Sequence, residues 1–496
     1  MLTWTIYFSF LGMAVLMCLP KDRPGLARWT ALATSALGLA CGLSAALDFD
    51  ATDGVVALVD EPWVPALGIN YHLAVDGIGL TLVLLTGIAA LVGVLFSWNI
   101  ERSPKEFFAY YFALIGGCYG VFLSFDLFLL FVFYEIAIVP KYFLIVAWGS
   151  TNREYGAMKL AIYSFAGSAL VLIGVIAAYV ASGAHSFSLL ELAKHNFTAA
   201  QQGWLFPLVF VGFAVLAGMW PFHTWAPTGH VAAPTAVSML LAGVVMKLGA
   251  YGCLRVAMTL FPLGLQLWSP YLGALAVTGI VYGALVALTQ KDFKFVIGYS
   301  SVSHMGFVLL GLLALSQTGL NGAVLQMFSH GVIAGLLFGV VGRMIYDRTH
   351  TRMLDELELM QLKKTLPFAA AVFVIAGFAS MGMPGFSGFI AEVQVLIGAW
   401  HGFPAYALLA GVGIVIGVAY TLRAVQKAFY PDKADLAHAE LTMKKLPPIS
   451  LPEKLGTFIL LGCTLAVGLY PRLLLDWIGP AFESPLFEGL KKEVGL

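Results

Sequence analysis

Asp126-LFLLFVFYEIAIVPKYFLIVAW-Gly149 is an apolar run long enough to cross the hydrocarbon core of a bilayer. Glu135 lies inside it, and Lys141 follows six residues later. An ionised side chain at the centre of a membrane helix costs roughly 2.5–3.5 kcal/mol on insertion scales, so two in one span need partners on neighbouring helices. Intramembrane charge reads by default as an ion or proton path. Four further ionisable residues interrupt apolar runs elsewhere: Lys247, His304, His330 and Glu392.

The rest of the chain has the same character. Its 496 residues are 60% hydrophobic and only 11% charged, where a soluble domain carries about 25% charged residues. Apolar runs of about twenty residues recur from end to end, which predicts an all-α polytopic membrane protein of about fourteen transmembrane helices. No soluble domain fits. The longest connectors are an acidic stretch from Asp48 to Gly68 and a charged segment from Tyr430 to Lys454. The five cysteines form no CxxC pair, and no Walker loop or GxGxxG is present. These features exclude a disulfide framework, a metal site, a nucleotide or flavin site and a nucleic-acid partner from the reading.

Lysines and arginines mark one side of the membrane. Lys21, Arg23, Arg102, Lys105, Arg153, Lys159, Lys291, Lys294, Arg343, Arg348, Lys363 and Lys364 fall in alternate loops, whereas the intervening loops hold little beyond Lys194 and Arg255. The basic side is the cytoplasmic one, so both termini face outward.

Two spans are interrupted. One runs from Phe213 to His230 (FAVLAGMWPFHTWAPTGH), the other from Ala379 to Glu392 (ASMGMPGFSGFIAE). Proline and glycine there free backbone groups that protein or water must satisfy. Broken helices in matching positions point to two inverted five-helix repeats with a site at the midplane. The division that follows is 1–106 for N-terminal helices, 107–258 and 259–429 for the two repeats, and 430–496 for a connector, a last helix and an outward tail. The plainer alternative is that these prolines only kink their helices.

Each polar group has a bland reading beside the functional one. Lys247, mid-span, is a loadable proton carrier or one half of a structural ion pair. His304 has Ser300 one turn before it, and His330 has Gln326; each stripe is a proton relay or a helix–helix hydrogen bond. Glu392 is a terminal acceptor, or it neutralises backbone freed by the break. Asp76, with His72 before it, and Asp126 sit at span ends, where charge costs little. Glu135 and Lys141 are separated by about 9 Å of rise and about 120° of rotation, so they do not pair within one straight helix. Pro140 bends the segment between them, and each charge is expected to face a different neighbour.

These residues resemble a known family. The stretches are His72–Leu80 (HLAVDGIGL), Phe133–Pro140 (FYEIAIVP), Pro221–Pro227 (PFHTWAP), Ala233–Arg255 (APTAVSMLLAGVVMKLGAYGCLR), Gly298–Phe307 (GYSSVSHMGF) and Gly382–Glu392 (GMPGFSGFIAE). The chain resembles the antiporter-like membrane-arm subunits of respiratory complex I, most closely the subunit M (chain 4) branch, which are similar to Mrp-type cation/proton antiporter subunits. The resemblance implies that Glu135, Lys247, His304, His330 and Glu392 carry protons, driven by quinone reduction elsewhere. It implies flavin, iron–sulfur clusters and quinone in partner subunits and none in this chain, L-like and N-like antiporter subunits as neighbours, and a bacterial inner membrane as the location. In one place the chain departs from the family. A lysine is expected seven residues before His223, and Leu216 stands there. Lys141, where the family has an apolar residue, is read as supplying the missing ammonium. Three other functions stay open: an Mrp-type antiporter subunit, a membrane-bound hydrogenase subunit, and a spacer that does not pump.

Overall fold

The computed structural model describes residues 1–430 and 446–494. Most of the charged connector from Tyr430 to Lys454 therefore lies outside the described residues. Helices α1 (Thr3–Cys18) and α2 (Pro24–Asp48) lead into a β-hairpin, β1 (Val56–Val64) and β2 (Ile69–Val75). Then follow α3 (Gly77–Phe96), α4 (Pro104–Leu123), α5 (Leu127–Trp148) and α6 (Arg153–Ser182). Helix α7 (Ala199–Ala217) breaks and resumes as α8 (Trp225–Ala232). After α9 (Thr235–Met258), α10 (Pro262–Thr289), α11 (Phe293–Leu313) and α12 (Gln317–Thr349), a second broken pair appears, α13 (Pro367–Ser380) and α14 (Ser387–Gly402). Helices α15 (Pro404–Phe429), α16 (Leu451–Leu469) and α17 (Arg472–Ala481) follow, and a short helix, Glu488–Val494, comes after them. Among the described residues, 12 helical segments are long and apolar enough to cross a membrane, with α1 and α13 as shorter apolar helices.

The hairpin corrects the all-α expectation. The stretch between Asp48 and Gly68 is no plain connector: Val56–Val64 pairs antiparallel with Ile69–Val75 and is exposed or half-buried along its length. Asp60 lies opposite His72 and Glu61 opposite Tyr71, and Asn70 Nδ2 donates to Asp60 Oδ1 at 3.0 Å. Polar cross-strand pairs hold an acidic segment in a ladder that composition alone reads as loop.

Burial separates an inner set of helices from a rim. Helices α9 and α12 are buried along their apolar windows, and α3 and α11 nearly so. Rim helices point large apolar side chains outward, among them Leu11, Leu37, Val415 and Phe458, as a lipid-facing surface requires. Small residues bring the inner backbones close. A Cβ on Gly249 of α9 would sit 2.5 Å from the backbone nitrogen of Ala217, so α7 lies against α9 beside Lys247.

The breaks keep their backbone groups occupied. Gly218, at φ +83°, ends α7, and the Trp225 indole donates to the Val215 carbonyl across the gap at 2.8 Å. Gly382 (φ +70°) and Gly385 (φ +97°) turn the chain between α13 and α14, where the Met383 N–H donates to the Phe378 carbonyl at 3.1 Å. Helix α9 also departs from regularity, with π-helical turns at Leu241–Val245 and Cys253–Met258 that bracket Lys247. Such single-turn expansions concentrate at functional positions.

Candidate functional site: a buried Lys–His–His–Glu array

Lys247 is fully buried in α9, immediately after the first π-helical turn. Its ammonium folds back to donate to the Ala242 carbonyl inside that turn. It also meets His330 Nδ1 of α12 at 2.7 Å. The His330 ring stacks on the His304 ring of α11, with centroids 5.5 Å apart and planes at 30°. His304 Nδ1 lies 3.1 Å from Glu392 Oε1, on the first turns of α14 just past the second break. Four of the residues expected from sequence thus lie side by side across α9, α12, α11 and α14, with the two rings stacked rather than hydrogen-bonded.

The array has polar supports. Gln326 Nε2, one turn before His330, approaches His304 Nδ1 at 3.3 Å and Glu392 Oε1 at 3.5 Å. His304 Nε2 meets Ser380 Oγ at 3.2 Å, at the last residue of α13. Tyr420 of α15 donates to Ser300 Oγ at 2.7 Å. One ring nitrogen therefore has two alternative partners. When His304 Nδ1 carries a proton it donates to Glu392; when it does not, it accepts from the Gln326 amide. Both states are hydrogen-bonded, so a proton can arrive and leave without orphaning the ring.

The close fit of Glu392 depends on a glycine. Gly382 has φ +70°, a conformation other residues rarely adopt, and a Cβ there would lie 2.7 Å from Glu392 Oε2. The break thus makes room for the carboxyl. That positions Glu392 for the array and leaves its reading as a backbone neutraliser without a geometric partner of its own.

Glu135 and Lys141 lie apart from this array. Lys141 is fully buried in α5 and donates to Ser164 Oγ of α6 at 3.1 Å. Glu135 Oε1 is buried with no hydrogen-bond partner, and among the described residues no ion pair joins it to Lys141. The expectation that the two charges do not pair directly agrees with this geometry. Leu216, where a lysine was expected, is packed in the core at the end of α7.

Other polar groups were misread from sequence. Arg255 belongs to no loop: it is fully buried in the second π-helical turn of α9 and pairs with the equally buried Asp76 at 2.6 Å. Asp76 does open its span, but it is fully buried rather than solvent-facing; it caps α3 through the Gly79 N–H at 2.8 Å and neutralises Arg255. Asp126 is buried too, accepting from the N–H groups of Phe128 and Leu129 at 2.9 Å each. Lys294 was also assigned to a loop, yet it is buried at the start of α11 and donates to the Ala233 carbonyl at 3.1 Å. It lines a cleft of about 280 Å³ at the end of the bundle away from the hairpin, with Ser150, Arg343 and Tyr346. Deeper on the same side, His230 is buried against Phe338, with ring centroids 5.0 Å apart and neither ring nitrogen bonded. Sequence spacing held a signal for Arg255, since eight residues beyond Lys247 is still within one span. Ser164 and Ser380 carried none, because serines are ordinary in membrane helices.

Known proteins are similar to this chain in sequence and fold. Residues 124–417 match the family described as NADH:quinone oxidoreductase/Mrp antiporter, TM. The chain is 36% identical over 469 residues to an NADH-quinone oxidoreductase subunit M from Rhodobacter capsulatus, covering 92% of this chain and 89% of that protein. It is 39% identical over 467 residues to an NAD(P)H-quinone oxidoreductase chain 4 from a Synechococcus species, covering 92% and 87%. A chain of respiratory complex I from Thermus thermophilus superposes with a TM-score of 0.89 at 26% identity, with both chains fully covered. A chain of an Mrp complex from a Dietzia species shares the fold, with a TM-score of 0.84 at 22% identity. With more than half its length inside the family match, and relatives of this identity aligned almost end to end, the chain belongs to the NADH:quinone oxidoreductase/Mrp antiporter membrane family.

Proposed function

We propose that this chain is a proton-translocating membrane-arm subunit of a respiratory NADH-quinone oxidoreductase, of the subunit M type. The observation that carries the reading is the buried array Lys247–His330–His304–Glu392 in the core of the bundle, hydrogen-bonded at both ends and ring-stacked in the middle. In this reading fourteen spans contain two inverted five-helix repeats, each with one broken helix. The protein lies in a bacterial inner membrane with both termini outside, so the cleft at Lys294 and Arg343 faces the cytoplasm and admits protons. L-like and N-like antiporter subunits flank it, and flavin, iron–sulfur clusters and quinone belong to partner subunits.

A transfer sequence follows from the contacts. Lys247 passes a proton from its ammonium to His330 Nδ1 across 2.7 Å. The imidazolium hands it on to His304 through the stacked pair, by way of intervening hydroxyls or water, since stacked rings share no N···N hydrogen bond. His304 Nδ1 delivers it to Glu392 across 3.1 Å and then accepts from Gln326. Moving one charge against 100 mV takes about 2.3 kcal/mol, which must come from quinone reduction in partner subunits. Glu135, acting with Lys141 in place of the lysine absent at Leu216, would set when Lys247 releases its proton.

The test is an assembled complex carrying Glu392→Gln. It should keep quinone reduction while moving fewer protons per electron pair. The absence at Leu216 favours one competing reading, a spacer that does not pump; an unchanged proton ratio in the Gln variant would establish that reading. If mild-detergent purification instead brought down cation/proton antiporter or hydrogenase subunits without quinone-reducing partners, the assignment to this complex would be wrong.

A further inference from the structure

Ser387 is the first residue of α14, directly after the second break, and its hydroxyl meets two other helices at once. Its Oγ lies 2.7 Å from Ser329 Oγ of α12 and 3.0 Å from Thr464 Oγ1 of α16. All three residues are fully buried. Ser329 directly precedes His330, and Glu392 stands five residues beyond Ser387, about 7.5 Å of rise along α14. The hydroxyls thus join the helix that carries His330 to the helix that carries Glu392, and both to α16. Packing repeats the tie one turn further along α16: a Cβ on Gly468 would lie 2.3 Å from the Gly385 carbonyl oxygen, so α16 rests directly on the break. A break removes the continuous backbone hydrogen bonding that would otherwise fix α14 relative to α13, so side contacts must set its direction. A serine hydroxyl accepts from one neighbour while donating to the other, or accepts from both; an alanine does neither.

We propose that Ser329, Ser387 and Thr464 form a hydroxyl clamp that sets the direction of α14 at the break and so holds Glu392 within reach of His304. The inference rests on the reading of Glu392 as a proton acceptor. The three are positioning residues: they act through the placement of Glu392 and carry no proton of their own. Gln326 already links α12 to α14 at the level of the carboxyl, 3.5 Å from Glu392 Oε1. The clamp adds a second fixed point at the start of α14, and two points define the direction of a helix where one would let it swing. It also draws α16, which lies outside the two proposed repeats, into the geometry of the array. A serine or threonine hydroxyl that loses its partner turns to a carbonyl of its own helix, so breaking the clamp should cost position more than stability.

Three variants of the assembled complex test the clamp. Ser387→Ala removes both links, Thr464→Val keeps the shape and removes one hydroxyl, and Thr464→Ser keeps the hydroxyl. The first readout does not depend on pumping: an electron cryomicroscopy structure of each. The His304–Glu392 distance should lengthen from 3.1 Å to beyond the roughly 3.5 Å limit of a hydrogen bond in Ser387→Ala and Thr464→Val, and stay in Thr464→Ser. The second readout is the part of the proton-to-electron ratio that Glu392→Gln removes. It should fall about two- to tenfold in Ser387→Ala, the effect of losing a buried hydrogen bond or two, fall less in Thr464→Val, and be kept in Thr464→Ser. An unchanged distance in Ser387→Ala overturns the clamp; if that variant does not assemble, an unchanged distance in Thr464→Val does so. A loss in Thr464→Val that Thr464→Ser shares assigns the site to packing and also overturns it. So does a lengthened distance with a full ratio in a complex where Glu392→Gln lowers that ratio. If the distance lengthens while neither Ser387→Ala nor Glu392→Gln alters the ratio, the clamp stands and the reading of Glu392 as a proton acceptor fails.

Discussion

Replacing Gly382 by alanine separates the geometry of the array from the stability of the break. A methyl carbon at this position would lie 2.7 Å from Glu392 Oε2, so the carboxyl must retreat by roughly 0.5 Å or more to reach an ordinary contact distance. If the retreat is directed away from α11, the His304–Glu392 separation grows from 3.1 Å to roughly 3.6 Å, past a working hydrogen bond. A charge-assisted bond of this kind contributes about 1.5–3 kcal/mol, so the connected population should fall roughly tenfold to a hundredfold. The φ of +70° adds a backbone term of about 1–2 kcal/mol for a residue with a Cβ. Gly385 is the matched control: it has φ +97°, and a Cβ there meets nothing within 4 Å. Gly385→Ala should therefore lower thermal stability in detergent while leaving the proton ratio intact, whereas Gly382→Ala should lower both. The assay is proton uptake by inverted membrane vesicles during quinone reduction, normalised to electron transfer. Equal losses of proton ratio in the two variants, or a full ratio in Gly382→Ala, would refute the claim that the break exists to seat Glu392.

Three further outcomes follow from contacts away from the array. Asp76→Asn leaves Arg255 as an unpaired buried charge and should destabilise the protein by about 3–5 kcal/mol, while the double change Asp76→Asn with Arg255→Met recovers most of that loss in a detergent melt. Trp225→Phe removes the 2.8 Å indole bond across the first break, and should speed amide exchange around Gly218 by about tenfold, about 1.4 kcal/mol, without lowering the global melt by more than a few degrees. Asp355, in the short helix Leu354–Glu358 before α13, is held below its ordinary 3.8 by the hydrogen bond and charge of Lys427. Its depressed value means the contact stabilises fully above about pH 4, weakens as pH falls through the folded-state value, and is gone below it. Asp355→Asn should remove that acid step from hydrogen exchange in that segment; an unchanged step would assign it to another group.

Sequence made much of this molecule legible, because hydrocarbon forces unusual residues to declare themselves. Lys247, His304, His330 and Glu392 were conspicuous against apolar runs, and glycine with proline marked both breaks. What sequence could not give was the direction of each side chain. The same rule that flags Lys and Arg as loop markers misplaced Arg255 and Lys294, since a basic residue near a span end looks alike whether it snorkels outward or turns inward to a partner such as Asp76 or the Ala233 carbonyl. The hairpin was hidden because Asp60, Glu61 and Pro62 lower the apolar signal of β1. Ser380 and Ser164 are commonplace residues whose roles come from three-dimensional neighbours.

The expanded turn at Leu241–Val245 makes the length of α9 a constraint distinct from its composition. A π turn holds one residue more than an α turn, so removing one residue there would let the helix relax to an even winding while the segment beyond keeps nearly its present facing. What would be lost is the widened turn whose Ala242 carbonyl receives the Lys247 ammonium. A further insertion would find no such slack and would rotate everything beyond by about 100°, swinging Lys247 away from His330. This segment should therefore tolerate conservative replacement of its apolar residues far better than added length, and grafts between relatives should be cut outside it.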